Sequence, residues 1–229
     1  PALLTNAKIL FLEQFDVEET TQFLRRATIM SGVPTYYKRL LENQSFNSIN
    51  LSNIRLFISG SAPLPEKIFD GFLAATGHRI LERYGMTETG VISTNPLEGA
   101  RKTGSVGKPL QNVFIKIVNT DGEEAKNGNI GEIQVKGNNV FKQYWKSSKP
   151  VIDRGWFATG DLGYLDEEGY LFIVGRSKDL IITGGMNVYP KEVEREIDRI
   201  SFILDKEKIK ADKDSLQIIA RKADGSMRD

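Results

Sequence analysis

Cysteine is absent from all 229 residues, which excludes disulfides, thiolate metal sites and any cysteine nucleophile. Histidine is reduced to one residue, His78, read as a surface or loop position. There is no excess of either charge: 31 lysines and arginines stand against 30 aspartates and glutamates. No long-range field therefore favours nucleic acid or an anionic membrane, and a bound anion must be caught by local geometry. No apolar run approaches the roughly 20 residues that cross a bilayer. The absence of cysteine makes a reducing compartment the expectation, and the chain is expected to be cytoplasmic; its N-terminus shows neither a signal-peptide pattern nor an initiating Met. Internal repeats and low-complexity tracts are also missing. Because Pro1 falls in what reads as mid-domain, the chain is expected to be a piece of a longer protein.

What is present is ordinary for a folded globular chain, with 40% hydrophobic and 27% charged residues. That composition suffices for one large domain, or one domain plus a smaller piece. Residues 7–12, 28–30, 54–59 and 80–84 read as short apolar strands. Helical patterns lie between them at 16–26, 34–41 and 65–76, the first opened by a capping box of Asp16 and Glu19. This alternation predicts an α/β layer with a largely parallel sheet and ligands at the strands' C-terminal ends. The middle changes character. Strands at 113–118, 131–135 and 170–174, with turn signals at Asp121-Gly122, Asn127-Gly128 and Glu168-Gly169, predict an antiparallel β subdomain. A helix is expected over 190–198, with proline in its first turn, and a further strand at 216–220.

Four segments carry candidate chemistry. Residues 58–63, ISGSAP, end a strand in small residues, which either lets backbone approach a flat ligand or simply makes a tight connection. Residues 84–90, YGMTETG, offer an aromatic face, a hydroxyl and a carboxylate in one short segment, the parts for a base, a phosphate and Mg²⁺. The alternative is a turn with a buried tyrosine. Asp161, in TGD, could accept from a ribose diol or be a plain aspartate turn. Arg176 could pair with ribose or phosphate, or be a surface arginine. Asp161 and Arg176 are both expected on tight turns between apolar strands.

In order and spacing, GSAP, YGMTETG, GWFATGDLG and GRSKDLIITGGMNVYPKEVE resemble the adenylate-forming enzymes, the superfamily of acyl-CoA synthetases, luciferase and peptide-synthetase adenylation domains. The resemblance covers residues 7–198. It implies part of a large N-terminal adenylating domain (1–175), a parallel α/β layer plus an antiparallel β subdomain. A hinge (176–178) and the start of a small α+β C-terminal domain (179–229) would follow. ATP, Mg²⁺ and coenzyme A are the implied cofactors, with a small carboxylic acid as substrate. By the same resemblance Gly60, Ser61, Ala62 and Pro63 line one side of adenine and Tyr84 stacks on the other. Glu82, Gly85 and Met86 belong to the same nucleotide site. Thr87 touches phosphate, Glu88 holds Mg²⁺, Asp161 and Arg176 bind ribose, Lys178 sits at the hinge, and Gly184 and Gly185 line the pantetheine tunnel.

ERYGMTE, VPTYYKRLL and TGGMNVYPKE look like the malonyl-CoA synthetase branch. Arg39 would then flank the acyl pocket, and with Arg83 it would hold a second carboxylate in bidentate geometry. A surface location for Arg39 and a neighbouring glutamate partner for Arg83 stay open. Two parts of the family pattern have no counterpart: the Ser/Thr/Gly-rich phosphate loop before GSAP and a lysine-bearing segment near the C-terminus. Truncation at both ends is therefore expected. A medium- or long-chain fatty acyl-CoA ligase, or a remnant that only binds nucleotide, are the alternatives.

Overall fold

The computed structural model describes residues 4–148, 150–183 and 186–209. Asp16 starts the first helix as its short acidic side chain predicts, accepting the Glu19 N–H at 2.8 Å and satisfying one of the unpaired amides of the first turn. The chain then runs through α1 (Val17–Leu24), β1 (Ile29–Gly32), α2 (Pro34–Leu41), α3 (Gln44–Asn47), β2 (Leu56–Ser59), α4 (Glu66–Thr76) and β3 (Leu81–Met86). Next come β4 (Gly90–Thr94), β5 (Lys108–Pro109), β6 (Val113–Val118), β7 (Gly131–Gly137), β8 (Ile152–Asp153), β9 (Trp156–Leu165) and β10 (Leu171–Arg176). A 3-10 turn (Ser177–Asp179), the hairpin β11 (Ile181–Thr183) and β12 (Met186–Val188), and α5 (Pro190–Lys206) complete the described elements.

The first sheet has the order β1-β2-β3-β4-β5. Only β1, β2 and β3 run parallel; β4 and β5 add antiparallel. The expected largely parallel sheet is thus mixed, because β3 turns back directly through residues 87–89, with Gly90 at φ +61°, where a parallel neighbour would need a crossover. Gly85 makes this hairpin possible: a Cβ there would lie 2.1 Å from the Gly90 carbonyl oxygen. The second sheet is antiparallel throughout, β10-β9-β7-β6 with β8 on β9. Gly122, Gly128 and Gly169 take positive φ at the three predicted turns.

Two cores form. The first lies under α1, α2 and α4, where Phe72 meets Phe57 at 4.8 Å, Tyr37 at 5.3 Å and Phe46 at 5.8 Å between ring centroids. The second lies between the sheets and joins Tyr84, Ile92 and Val106 to Ile117, Ile133, Val135 and Leu171. The sheets are therefore held face to face by burial of apolar surface.

Three expectations need correction or extension. Residues 7–12 form no strand; Ile9 is 53% and Phe11 82% exposed, because the first sheet's edge at β1 pairs only with β2 among the described residues, and an unpaired segment has no ladder to join. The helix expected over 190–198 continues to Lys206. The strand expected at 216–220 lies outside the described residues.

Phe72 is fully buried, so Phe72→Ala should destabilise the protein by about 3–5 kcal/mol through lost transfer energy and a cavity. The shift of the urea unfolding midpoint measures this.

Candidate functional site

Asp161 does not sit on a turn. In β9 the side chains of Phe157, Thr159 and Asp161 alternate inward and are buried, so strand periodicity alone carries a carboxylate into the space between the sheets. Its backbone is fixed from beneath. Thr159 Oγ1 donates to the Ile133 carbonyl at 2.9 Å and accepts the Asp161 N–H at 3.1 Å. Arg176, expected on a turn, ends β10 directly opposite Asp161 in the β9–β10 register. Its Nε lies 3.2 Å from Asp161 Oδ1, with the guanidinium side more than half exposed. Tyr84, read both as the end of a strand over 80–84 and as the start of YGMTETG, lies in β3, and its hydroxyl donates to Asp161 Oδ2 at 2.6 Å. One carboxylate therefore bridges a phenol from the first sheet and an arginine from the second.

These residues border a cavity of about 330 Å³, at the small end of the ~300–1,000 Å³ range of ligand pockets. Ser61, Ala62 and Pro63, which follow the C-terminal end of β2, form one wall; Glu82, Arg83, Tyr84, Gly85 and Met86 form another. This is the strand-end location that open α/β sheets use for ligands. Ser61 holds φ +67°, a left-handed conformation uncommon for a residue with a side chain and concentrated at functional sites. Gly60 lies immediately behind: a Cβ there would meet the Arg83 guanidinium carbon at 3.5 Å. Gly104, Val106, Ile173, Gly175, Asp179 and Leu64 complete the lining. Reasoning from sequence missed these six. The cluster of small residues in TGSVGK was the available signal for the first two.

The remaining candidates distribute unevenly. Thr87 and Glu88 follow Met86 in the β3–β4 turn; Glu88 Oε1 accepts from the Tyr144 hydroxyl at 3.0 Å. Lys178 is exposed on the 3-10 turn beyond Arg176. Arg39 does not join the group. It is exposed on α2, its guanidinium 4.9 Å from the centroid of the Phe15 ring, and it does not line the cavity, so the expected arginine pair is reduced there to Arg83. Gly184 and Gly185 lie outside the described residues. A second cavity, of about 280 Å³, sits near the N-terminal ends of β2 and β3 and is lined by Asn47, Asn50, Ser52, Thr76 and His78 among others. His78 packs against the Phe57 ring there, as a loop residue. That cavity has no carboxylate and no cation pair, so the chemistry converges on the first.

Burial, and then the Asp161 charge, push the Tyr84 phenol far above its ordinary range. Tyr37, buried and donating to the Ile58 carbonyl, is pushed up by burial as well. Both phenols stay neutral donors at any physiological pH.

Comparison with known proteins follows the same lines. The family model described as AMP-binding enzyme matches residues 1–145. A model described as DNA polymerase III clamp loader subunit, ATPase lid domain, matches residues 197–229, a stretch largely outside the described residues. A malonate–CoA ligase of Arabidopsis thaliana is 42% identical over 180 residues, covering 73% of this chain and 29% of that protein. A long-chain-fatty-acid–CoA ligase of Bacillus subtilis is 38% identical over 197 residues, covering 83% of this chain and 35% of that protein. The crystal structure of ATP-bound MatB from Rhodopseudomonas palustris superimposes with a TM-score of 0.82 at 48% identity, over 86% of this chain and 40% of that one. The chain thus spans well under half the length of the relatives it matches.

Because the folded-state phenols of Tyr37 and Tyr84 ionise above the unfolded value of about 10, their stabilising contribution is complete below about pH 10 and is lost as pH rises further. In an alkaline titration at 295 nm, at least these two of the seven tyrosines should ionise only when the protein unfolds. Tyr84→Phe should remove one of the late steps.

Proposed function

Because the chain belongs to the AMP-binding enzyme family, as part of the adenylating domain of an adenylate-forming acyl-CoA synthetase similar to malonyl-CoA synthetase, we propose that the whole protein is an ATP-dependent acid–CoA ligase acting on malonate or a similar short dicarboxylate. A carboxylate oxygen attacks the α-phosphorus of ATP and pyrophosphate leaves. The CoA thiol then attacks the acyl carbon and AMP leaves. No enzyme nucleophile is needed, so the absence of cysteine is no obstacle; the protein contributes orientation and charge.

The observation that carries the reading is the Tyr84–Asp161–Arg176 group at the cavity wall. Asp161 lines the cavity, and each of its oxygens, with one partner apiece, keeps acceptor capacity for a ribose diol; Arg176 adds a half-exposed donor beside it, and Gly60, Ser61, Ala62, Pro63 and Tyr84 enclose the base, with Glu82, Gly85 and Met86 extending the same wall. Thr87 contacts phosphate. Glu88 would hold Mg²⁺, which would supply positive charge to offset that of the phosphates. Among the described residues no group of three or more His, Cys, Asp or Glu side chains could cage a metal, and a lone carboxylate suits an ion whose other ligands are phosphate and water. Lys178 marks the hinge between residues 1–175 and 179–229, and the resemblance assigns Gly184 and Gly185, outside the described residues, to the pantetheine tunnel.

Arg83 supports the dicarboxylate. It is half-buried at the cavity wall against Gly60. A monocarboxylic fatty acid would leave this charge unpaired, at a cost of about 3–5 kcal/mol for a buried guanidinium and less for one still partly solvated. The identity with a malonate–CoA ligase points the same way. The long-chain-fatty-acid–CoA ligase relative favours the second reading, an apolar acid.

Asp161→Ala should weaken AMP binding by this chain roughly 10- to 100-fold, the worth of hydrogen bonds to a charged group, as read by isothermal titration calorimetry. Unchanged affinity would reject the ribose assignment. In the complete protein, pyrophosphate release measured on malonate and octanoate should fall on malonate alone in Arg83→Ala. Equal losses on both acids would reject the dicarboxylate, and AMP binding without pyrophosphate release on any acid would identify a nucleotide-binding remnant.

A further inference from the structure

We propose that Ser105, with Asn95 and Ser93, is a positioning residue of the nucleotide site: a buried clasp of hydrogen bonds holds β10 and β9 against β3 and so sets the approach of Asp161 to Tyr84. The inference rests on the reading of that site as nucleotide-binding only for its consequence on affinity.

The geometry is specific. Ser93 is the cross-strand partner of Tyr84 in the β3–β4 register, and its hydroxyl donates to the Val106 carbonyl at 2.9 Å. Ser105 Oγ donates to the Leu171 carbonyl at 2.8 Å and accepts the Gly107 N–H at 3.0 Å. Two backbone bonds reinforce the join, Val106 N–H to the Leu171 carbonyl at 2.9 Å and Leu171 N–H to the Gly107 carbonyl at 2.8 Å. Asn95 closes the loop on itself, donating from Nδ2 to the Ser105 carbonyl at 2.6 Å and accepting the Lys102 N–H at 3.1 Å. Leu171 begins the strand that ends in Arg176. The path from Ser93 to the Asp161–Arg176 pair is therefore continuous through hydrogen bonds and one strand.

Burial sets the weight of each bond. Ser93 and Ser105 are fully buried and Asn95 is 1% exposed, so removal of one partner strands another in a dry interior, where an unmade hydrogen bond is costly. Gly107 shows how closely the loop is drawn in. It holds φ +84°, and a Cβ there would lie 1.9 Å from the Thr94 carbonyl carbon, so the loop lies in contact with the backbone of β4. Gly104 and Val106 also line the cavity, so the clasp is part of its wall. The hydrophobic contacts between the sheets could be met over a range of offsets. Directional bonds at Ser105 select one.

The test compares Ser105→Ala and the milder Ser93→Ala with Phe72→Leu, a control that thins the other core without touching the clasp. The readouts are the alkaline absorbance step assigned to Tyr84 by its loss in Tyr84→Phe, followed against unfolding by circular dichroism, and the calorimetric affinity for AMP. In the clasp variants the Tyr84 step should separate from unfolding and move down toward the ordinary phenol range near about 10, because Asp161 and the surrounding burial no longer bear on it. AMP should bind roughly threefold or more weakly, less than one whole hydrogen bond's worth. The control should move neither readout. A Tyr84 step that still coincides with unfolding in both clasp variants overturns the inference. A step that moves in a protein whose unaltered form binds no AMP sustains the clasp and rejects the nucleotide reading instead.

Discussion

A hydrogen bond of 2.6 Å, from the Tyr84 hydroxyl to Asp161, joins the candidate site across two sheets whose strands do not pair with one another among the described residues. Everything proposed for the site depends on that meeting. The tyrosine brings its ring into the core between the sheets, 8% exposed, and its polar tip to the cavity edge. The aspartate brings a charge that burial would otherwise penalise. The phenol on one oxygen and Arg176 on the other make the burial tolerable, and the partly exposed arginine keeps the group in contact with the cavity.

This arrangement separates stability from function in a useful way. The first core, rich in phenylalanine, holds the helices on the sheet without contributing a residue to the Asp161 group. The second core is smaller and is shared between the sheets. It brings the site's halves together but has no direction of its own, since apolar contact is nearly indifferent to offset. Orientation comes from buried polar groups: Thr159 under Asp161, Ser93 behind Tyr84, Ser105 between the loop and β10. A site that gains rate by orientation and charge placement needs just such rigid support.

Local rules read much of the fold correctly. The Asp16 cap, the proline-led α2, the strands at β6, β7 and β10 and the positive-φ glycines at three turns follow from propensity and turn chemistry acting over a few residues. The errors have a common form. Residues 7–12 are as apolar as a strand should be, yet a strand exists only where a neighbour accepts its backbone bonds. Glycine in TGD suggested a turn, whereas Gly160 lies within a strand; in YGMTETG the turn does form, through residues 87–89, but Tyr84 and Gly85 belong to the strand that leads into it, and at Gly85 the missing side chain permits a close approach. Arg39 and Arg83 are both charged residues in apolar surroundings, and only the packing of α2 decides that one faces outward.

By itself the sequence determined the ordered series of short motifs that identifies the family, and the local elements that carry them, because these depend on residue type and spacing within a few turns of chain. The tertiary structure alone decided that Asp161, 77 positions from Tyr84, would be its hydrogen-bond partner, that Arg83 and not Arg39 would line the cavity, and that TGSVGK would close the wall behind them. Those outcomes rest on long-range packing of one sheet against another, where the free energy comes from buried area and the precise offset from a few directional bonds, and neither quantity is written in any short stretch of residues.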